Sequence, residues 1–337
     1  MKTGLLLAGL LVLFATPLPL RADEGIAARY PGDKGIENDP AVVSSESFEE
    51  NSVEAMCKGW ESILDRPGMS FSTGVPAGSA GKHSLVMERH TGDGARLFRR
   101  IPNKSGGYGY DQIYARYYVK FDPACEPLHH FGTCIGGNNP AVSWPLVNAG
   151  YRSDGAKSFW SGIEPFGASW NWDFYTYWCE MRGSPPHGKT WGNSFILDPT
   201  LKIEKGKWIC VEQMIKMNDV GDTNGEQALW LDGKPISHLG KGFPKGVWRM
   251  DRFQPGPGRE GVRWVDGKDD KENYTVPEDK AVFEGFRWRT TKDLNVNFVW
   301  LYIYTEMPDG YLMKVSFDDV VVATSYIGPI HPAAAIK

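Results

Sequence analysis

The sequence predicts an all-β protein built as one large sandwich of two antiparallel sheets. Three observations carry that expectation. Several runs alternate apolar and polar residues with a period of two, glycine and proline punctuate the gaps, and a helical period is nearly absent. With 39 glycines and 23 prolines in 337 residues, turns rather than crossover helices join the runs, which suits an antiparallel sandwich and not βαβ units.

The elements follow in chain order. Lys2 precedes an apolar run from Gly4 to Leu20, and Arg21-Ala22-Asp23 returns to polar sequence. This pattern predicts an export signal over residues 1–22, since the apolar part before Pro17 is short of the roughly 20 residues a membrane span needs. A secreted or periplasmic protein is expected, with no membrane association after cleavage. Residues 23–43 read as an N-terminal extension, and 44–330 as the sandwich domain. Weak helical periodicity occurs only around Val53 to Leu64. From Gln112 to Phe121 the alternation is clean. Ile113, Ala115, Tyr117, Val119 and Phe121 fall on one face, with Tyr114, Arg116, Tyr118 and Lys120 on the other. Asp173 to Met181 repeats the pattern and sets Tyr175 and Tyr177 side by side. Ile209 to Met217 and Glu226 to Leu231 form a long hairpin, and Asp232-Gly233 turns the chain into Lys234-Pro235-Ile236. Phe283 to Arg289, Asn297 to Thr305 and Lys314 to Ala323 are three further strands. Residues 241–280, rich in glycine, proline and charge around Trp248 and Trp264, form a long insertion, read as an ordered lid or a surface excursion.

The formal charge of −4 argues against nucleic acid as a partner. Aromatics are the compositional outlier, with 13 Trp, 14 Tyr and 16 Phe. Most suit sheet core, and flat rings left exposed would stack on sugars. Five cysteines (Cys57, Cys125, Cys134, Cys179, Cys210) permit two disulfides in an oxidising compartment, and Cys125 and Cys134 are near enough in sequence to close a short loop. No zinc-type Cys/His spacing occurs.

Five segments carry a resemblance to a known family: Tyr114-Ala-Arg-Tyr-Tyr-Val-Lys-Phe-Asp122, Leu128-His-His-Phe-Gly-Thr-Cys-Ile-Gly-Gly137, Gly206 to Asn218, Leu229-Trp-Leu-Asp-Gly233 and Phe317-Asp-Asp-Val-Val-Val322. From about Ser44 to Pro329 the chain resembles the concanavalin A-like jelly-roll polysaccharide lyases that cut alginate, glucuronan and related polyuronates. The resemblance implies cleavage of a uronic-acid-containing glycan by β-elimination, and a monomer is expected. That chemistry needs a base for the proton beside the carboxylate, an acid for the leaving oxygen, and neutralisation of the carboxylate. It implies Tyr175 and Tyr177 as base and acid, with Arg116 as the cation a tyrosine base requires. His130, or its neighbour His129, would neutralise the carboxylate or act as the base instead. Tyr114, Tyr118, His129, Glu164, Glu180 and Arg182 are the expected substrate-binding residues. Adjacent histidines on a strand point to opposite sides, so only one of the pair should line a groove.

The sequence also departs from the family. His130 stands where the alginate-cleaving members carry a lysine, and Ser161-Gly-Ile163 replaces their Ser-x-Arg. A non-catalytic carbohydrate-binding protein using the same face is therefore the rival reading. Glycoside hydrolysis is weaker, because the Glu-x-Asp-x-x-Glu pattern is absent. Asp318-Asp319, with Glu46 and Glu49, offers hard oxygen ligands where terminal strands would pair. A structural Ca²⁺ held by Glu49 and Asp318 is weighed there against a solvated acidic turn.

Overall fold

The computed structural model describes residues 24–90, 92–144, 149–165, 169–183, 190–249, 251–255, 281–308 and 310–332. The expected export signal, and residues 256–280 of the insertion with Trp264, lie outside them. The strands are β1 Val42–Glu46, β2 Ser62–Leu64, β3 Met69–Ser72, β4 Ser84–Glu88, β5 Gly94–Arg100, β6 Gln112–Phe121, β7 His130–Asn138, β8 Ser158–Pro165 and β9 Trp172–Tyr177. They continue as β10 Ile209–Lys216, β11 Glu226–Leu231, β12 Lys234–Leu239, β13 Lys245–Arg249, β14 Arg252–Pro255, β15 Ala281–Val282, β16 Phe298–Tyr304 and β17 Lys314–Ala323.

Two antiparallel sheets face each other as a jelly-roll sandwich. The first runs β12-β11-β10-β6-β17-β4-β3, with β1 on the second half of β17; the other runs β2-β5-β16-β7-β8-β9. The alternation in β6 sets the inner face as expected: Ile113, Ala115, Tyr117, Val119 and Phe121 have no exposed surface. Phe121 meets Phe131 of β7 edge-to-face at 4.6 Å, tying one sheet to the other. Fully burying one such side chain stabilises the fold by roughly 1.5–3 kcal/mol. Val299, Leu301 and Ile303 of β16 complete the inner layer from the opposite side. Asp232 and Gly233, both at positive φ, make the tight β11–β12 turn expected of them.

Three expectations are corrected. The helical signal near Val53 yields only the short helix α1, Val53–Cys57, before the chain enters β2. Phe283 to Arg289 is not a strand. Gly285 sits at φ +88 against Thr223, and the backbone amides of Trp288 and Arg289 donate to the Asn218 side chain instead of a ladder. All five cysteines are free thiols. Cys125 lies against the Lys314 amide and Cys134 against Tyr302, on different parts of the sandwich, so sequence proximity does not join them. The described ends of the insertion form a third small sheet, β14-β13-β15. It packs Trp248, Phe253 and Phe283 around Phe195, beside the end of the second sheet.

Candidate functional site

The outward face of the second sheet carries a dense aromatic surface. Along β16, Trp300, Tyr302 and Tyr304 alternate with the buried core residues; β8 adds Trp160 and Glu164, and β9 adds Asp173, Tyr175 and Tyr177. Cross-strand register places Tyr304 opposite His130 and Glu164 opposite Asp173. A cleft of about 560 Å³ opens here, lined by His129, His130, Glu164, Asp173, Tyr175, Ser194, Arg252 and Glu306, among others.

At its centre His130 Nδ1 lies 2.7 Å from Glu164 Oε2, and the Tyr302 hydroxyl donates to Glu164 Oε1 at 2.7 Å. Glu164 is buried, so both of its oxygens are occupied by partners rather than by solvent. The His130 ring packs between Tyr175 at 4.8 Å and Tyr304 at 5.5 Å. Glycine makes the convergence sterically feasible. Gly132 sits at φ +103, and a Cβ there would fall 2.7 Å from the Ile163 carbonyl oxygen and 3.0 Å from the Tyr117 hydroxyl. Gly192 lies so flat on the Tyr175 ring that a Cβ would come within 2.7 Å of it.

The tyrosine pair is close but unequal. The two hydroxyls are 3.3 Å apart. Tyr175 lines the cleft, whereas Tyr177 has no exposed surface and is stacked under Trp160 at 4.9 Å. Burial raises the pKa of both phenols, and the second phenol and Glu164 add to the rise at Tyr175. Both therefore remain protonated at neutral pH.

The other expected residues are placed as follows. Arg116 is not in the cleft. It points from the opposite sheet, away from the core, is fully buried, and is paired with Asp33 and the carbonyls of Asp319 and Gly328. Chain termini cover that face, which is why a polar strand face that looked open is closed. Tyr114 and Tyr118 share it: Tyr114 packs on Trp230 and Tyr326, and the Tyr118 hydroxyl accepts from the Ile330 amide. These three are thus corrected from groove residues to parts of the outer-face packing. His129 and His130 both line the cleft, because His129 precedes β7 and escapes strand alternation. Glu180 and Arg182 lie beyond the end of β9, paired with Arg287 and Glu284, and do not line the cleft. Ser161 is fully buried and turned inward, hydrogen-bonded to Thr176 at 2.9 Å and Gln227 at 3.0 Å. Trp160, Trp300, Tyr302 and Tyr304 are additions to the expected set. The Trp-x-Tyr-x-Tyr alternation of 300–304 has the same form as Tyr175-x-Tyr177 and was open to the same reading.

Glu49 Oε1 accepts the Lys82 and His83 amides at 2.6 and 2.7 Å. Asp318 is fully buried, and one oxygen of each of Asp318 and Asp319 lacks a hydrogen-bond partner. Burial pushes both pKa values up; the Asp319 charge adds to the rise at Asp318, the Asp33 charge to that at Asp319, and the Glu49 charge to both. Orphaned carboxylate oxygens suit a hard cation, although no three His, Cys, Asp or Glu side chains among the described residues form a metal-ligand group.

The same jelly-roll fold occurs in solved structures of alginate lyases. The marine PL-14 alginate lyase from Aplysia kurodai has a similar structure, with a TM-score of 0.50 and 14% identity over 84% of this chain and 99% of its own. Alginate lyase vAL-1 from Chlorella virus also gives 0.50, at 12% identity over 84% of this chain and 100% of its own. No family model matches the sequence, and no curated protein matches it.

Proposed function

We propose that this chain is an exported polysaccharide lyase that cleaves a uronic-acid-containing glycan by β-elimination in the cleft of the second sheet. The observation that carries the reading is His130 held through Nδ1 by Glu164, beside Tyr175, in an aromatic-walled cleft. With Glu164 ionised, Nδ1 carries the proton and Nε2 is left as the basic nitrogen. His130 then removes the proton on the carbon beside the uronate carboxylate. The electron pair forms the C=C bond, the glycosidic C–O bond breaks, and the leaving oxygen takes a proton from Tyr175. Tyr175 is protonated at neutral pH and so enters as the donor and not as the base, and Tyr177 anchors it from behind. Arg252 and His129, on the cleft wall, are the groups placed to meet the substrate carboxylate.

A Ca²⁺ ion beside Asp318 and Glu49 is proposed as a structural partner, neutralising the buried Asp318 carboxylate with backbone carbonyls and water completing its shell. It predicts a melting temperature that rises with Ca²⁺, falls with chelator, and loses this dependence in Asp318→Asn. A Ca²⁺-independent melting curve refutes it.

Binding without chemistry is the second reading, favoured by one observation: Arg116 is remote from the tyrosine pair. Absorbance of the unsaturated uronate, followed across a polyuronate panel, separates the two. A rise abolished in His130→Asn and Tyr175→Phe supports β-elimination. A flat trace from folded protein that still binds a glycan refutes it in favour of the binding module.

A further inference from the structure

Strand β5 sends Ala95 and Leu97 into the core and turns Arg96, Phe98 and Arg100 onto the same outward face as the cleft. Arg100 is spoken for, bonded to Glu61 at 2.7 Å and to the Ala141 carbonyl at 3.1 Å. Arg96 is different. Its guanidinium lies 3.7 Å over the Trp144 ring, and its Nε is buried with no hydrogen-bond partner. Burial lowers its pKa, and among the described residues no neighbouring carboxylate opposes that shift. A half-buried guanidinium held on an indole and facing no carboxylate is a preformed receptor for an anion.

The surroundings specify the kind of anion. Trp144 is 37% exposed and packs edge-on against Trp300 at 5.1 Å. The Trp300 Nε1 is likewise buried without an acceptor. The Arg96 guanidinium thus lies against a solvent-facing indole walled by a second one, the combination that receives a charged, hydroxylated ring. In register, Arg96 lies opposite Tyr302, whose hydroxyl binds Glu164. It is two strands across and two residues along from His130, about 12 Å at the usual strand geometry. That separation assigns it to a neighbouring sugar, not to the one that reacts.

We propose that Arg96, Trp144 and Trp300 form an accessory subsite for one uronate residue, with Arg96 receiving the carboxylate and Trp144 stacking on the ring. This rests on the reading of the outward face as a glycan groove and not on catalysis.

The test is calorimetric binding to three oligosaccharides: a uronate, its carboxyl-reduced counterpart and a sulfated neutral glycan, all in a His130→Asn background to prevent turnover. Arg96→Gln is expected to weaken uronate binding by about 10- to 100-fold and to leave the reduced sugar unaffected. Trp144→Ala should weaken both, and Lys207→Gln, a distant charge change, neither. If Arg96→Gln fails to fold, Arg96→Lys decides. It keeps the charge but loses the two-pronged donor geometry, and a several-fold loss on the uronate alone supports the assignment. Unchanged uronate affinity in the Arg96 variants overturns the proposal, as does a wild-type protein that binds no uronate. Equally tight, Arg96-dependent binding of the sulfated glycan overturns the carboxylate assignment. Arg96-dependent uronate binding in a protein that yields no unsaturated product supports the subsite while removing the lyase reading.

Discussion

Asp173 offers the most direct test of how the cleft wall is held. Its Oδ1 accepts the backbone amides of Phe174, Phe195 and Ile196 at 2.7, 2.9 and 3.0 Å, and Oδ2 accepts Leu197 at 3.0 Å. Leu197 itself sits at φ 48, a left-handed conformation its side chain disfavours. The same segment carries Gly192 against Tyr175 and Ser194 along the cleft, so one carboxylate ties a strained loop to the candidate acid. Burial lifts Asp173 to about 6 against the pull of its four donors, and measurements at pH 8 therefore compare the ionised side chain. Asp173→Ala orphans the three loop amides. At about 1–3 kcal/mol each, less the relief from burying a charge and less what cleft water restores, the net loss is about 3–5 kcal/mol. Asp173→Asn keeps one acceptor oxygen but turns an NH₂ toward the Leu197 amide, for a cost of about 1–3 kcal/mol. Urea denaturation followed by tryptophan fluorescence gives both values, and hydrogen exchange should quicken at residues 195–197. An alanine variant within about 1 kcal/mol of wild type, or one no worse than asparagine, would show that the loop is held by its apolar packing instead.

Three further outcomes are expected. Glu164→Gln replaces the acceptor that keeps Nδ1 protonated, so unsaturated-uronate formation should fall by roughly 100-fold or more with a stability loss of about 1–2 kcal/mol; undiminished activity would exclude His130 as the base. Gly132→Ala forces a side chain into left-handed backbone against Ile163 and Tyr117, costing about 3 kcal/mol or more in urea, and a neutral variant would contradict the close approach. Burial pushes Glu212 up to about 7, against the Ile327 and Gly328 amides and the Arg116 charge. A carboxyl raised on folding stabilises fully below its unfolded pKa of about 4, and that contribution is lost as pH rises through 7. Wild-type protein should therefore lose about 3 kcal/mol relative to Glu212→Gln between pH 4 and 8. A wild-type stability that does not fall relative to the variant over that window counts against a raised pKa.

The sandwich was legible because its strands announce themselves locally. The inner row of β6 follows from alternation, as one face must be apolar wherever two sheets meet, and the limits of β11 follow from the turn residues that flank it. What alternation cannot disclose is what covers the other face. Arg116 and Tyr175 look alike in a ten-residue window, each a polar group on the outward side of a strand. Arg116 is sealed by Asp33 and by carbonyls near the C-terminus, partners far away in sequence. The candidate site is equally non-local. His130 and Glu164 are separated by 34 positions and meet only because the β7–β8 register sets Cys134 opposite Gly162 and turns Glu164 outward. A slip of one residue would bury Glu164 in the core and expose Ile163. The chemistry of this face thus depends first on sheet register, and only then on which side chains the strands carry.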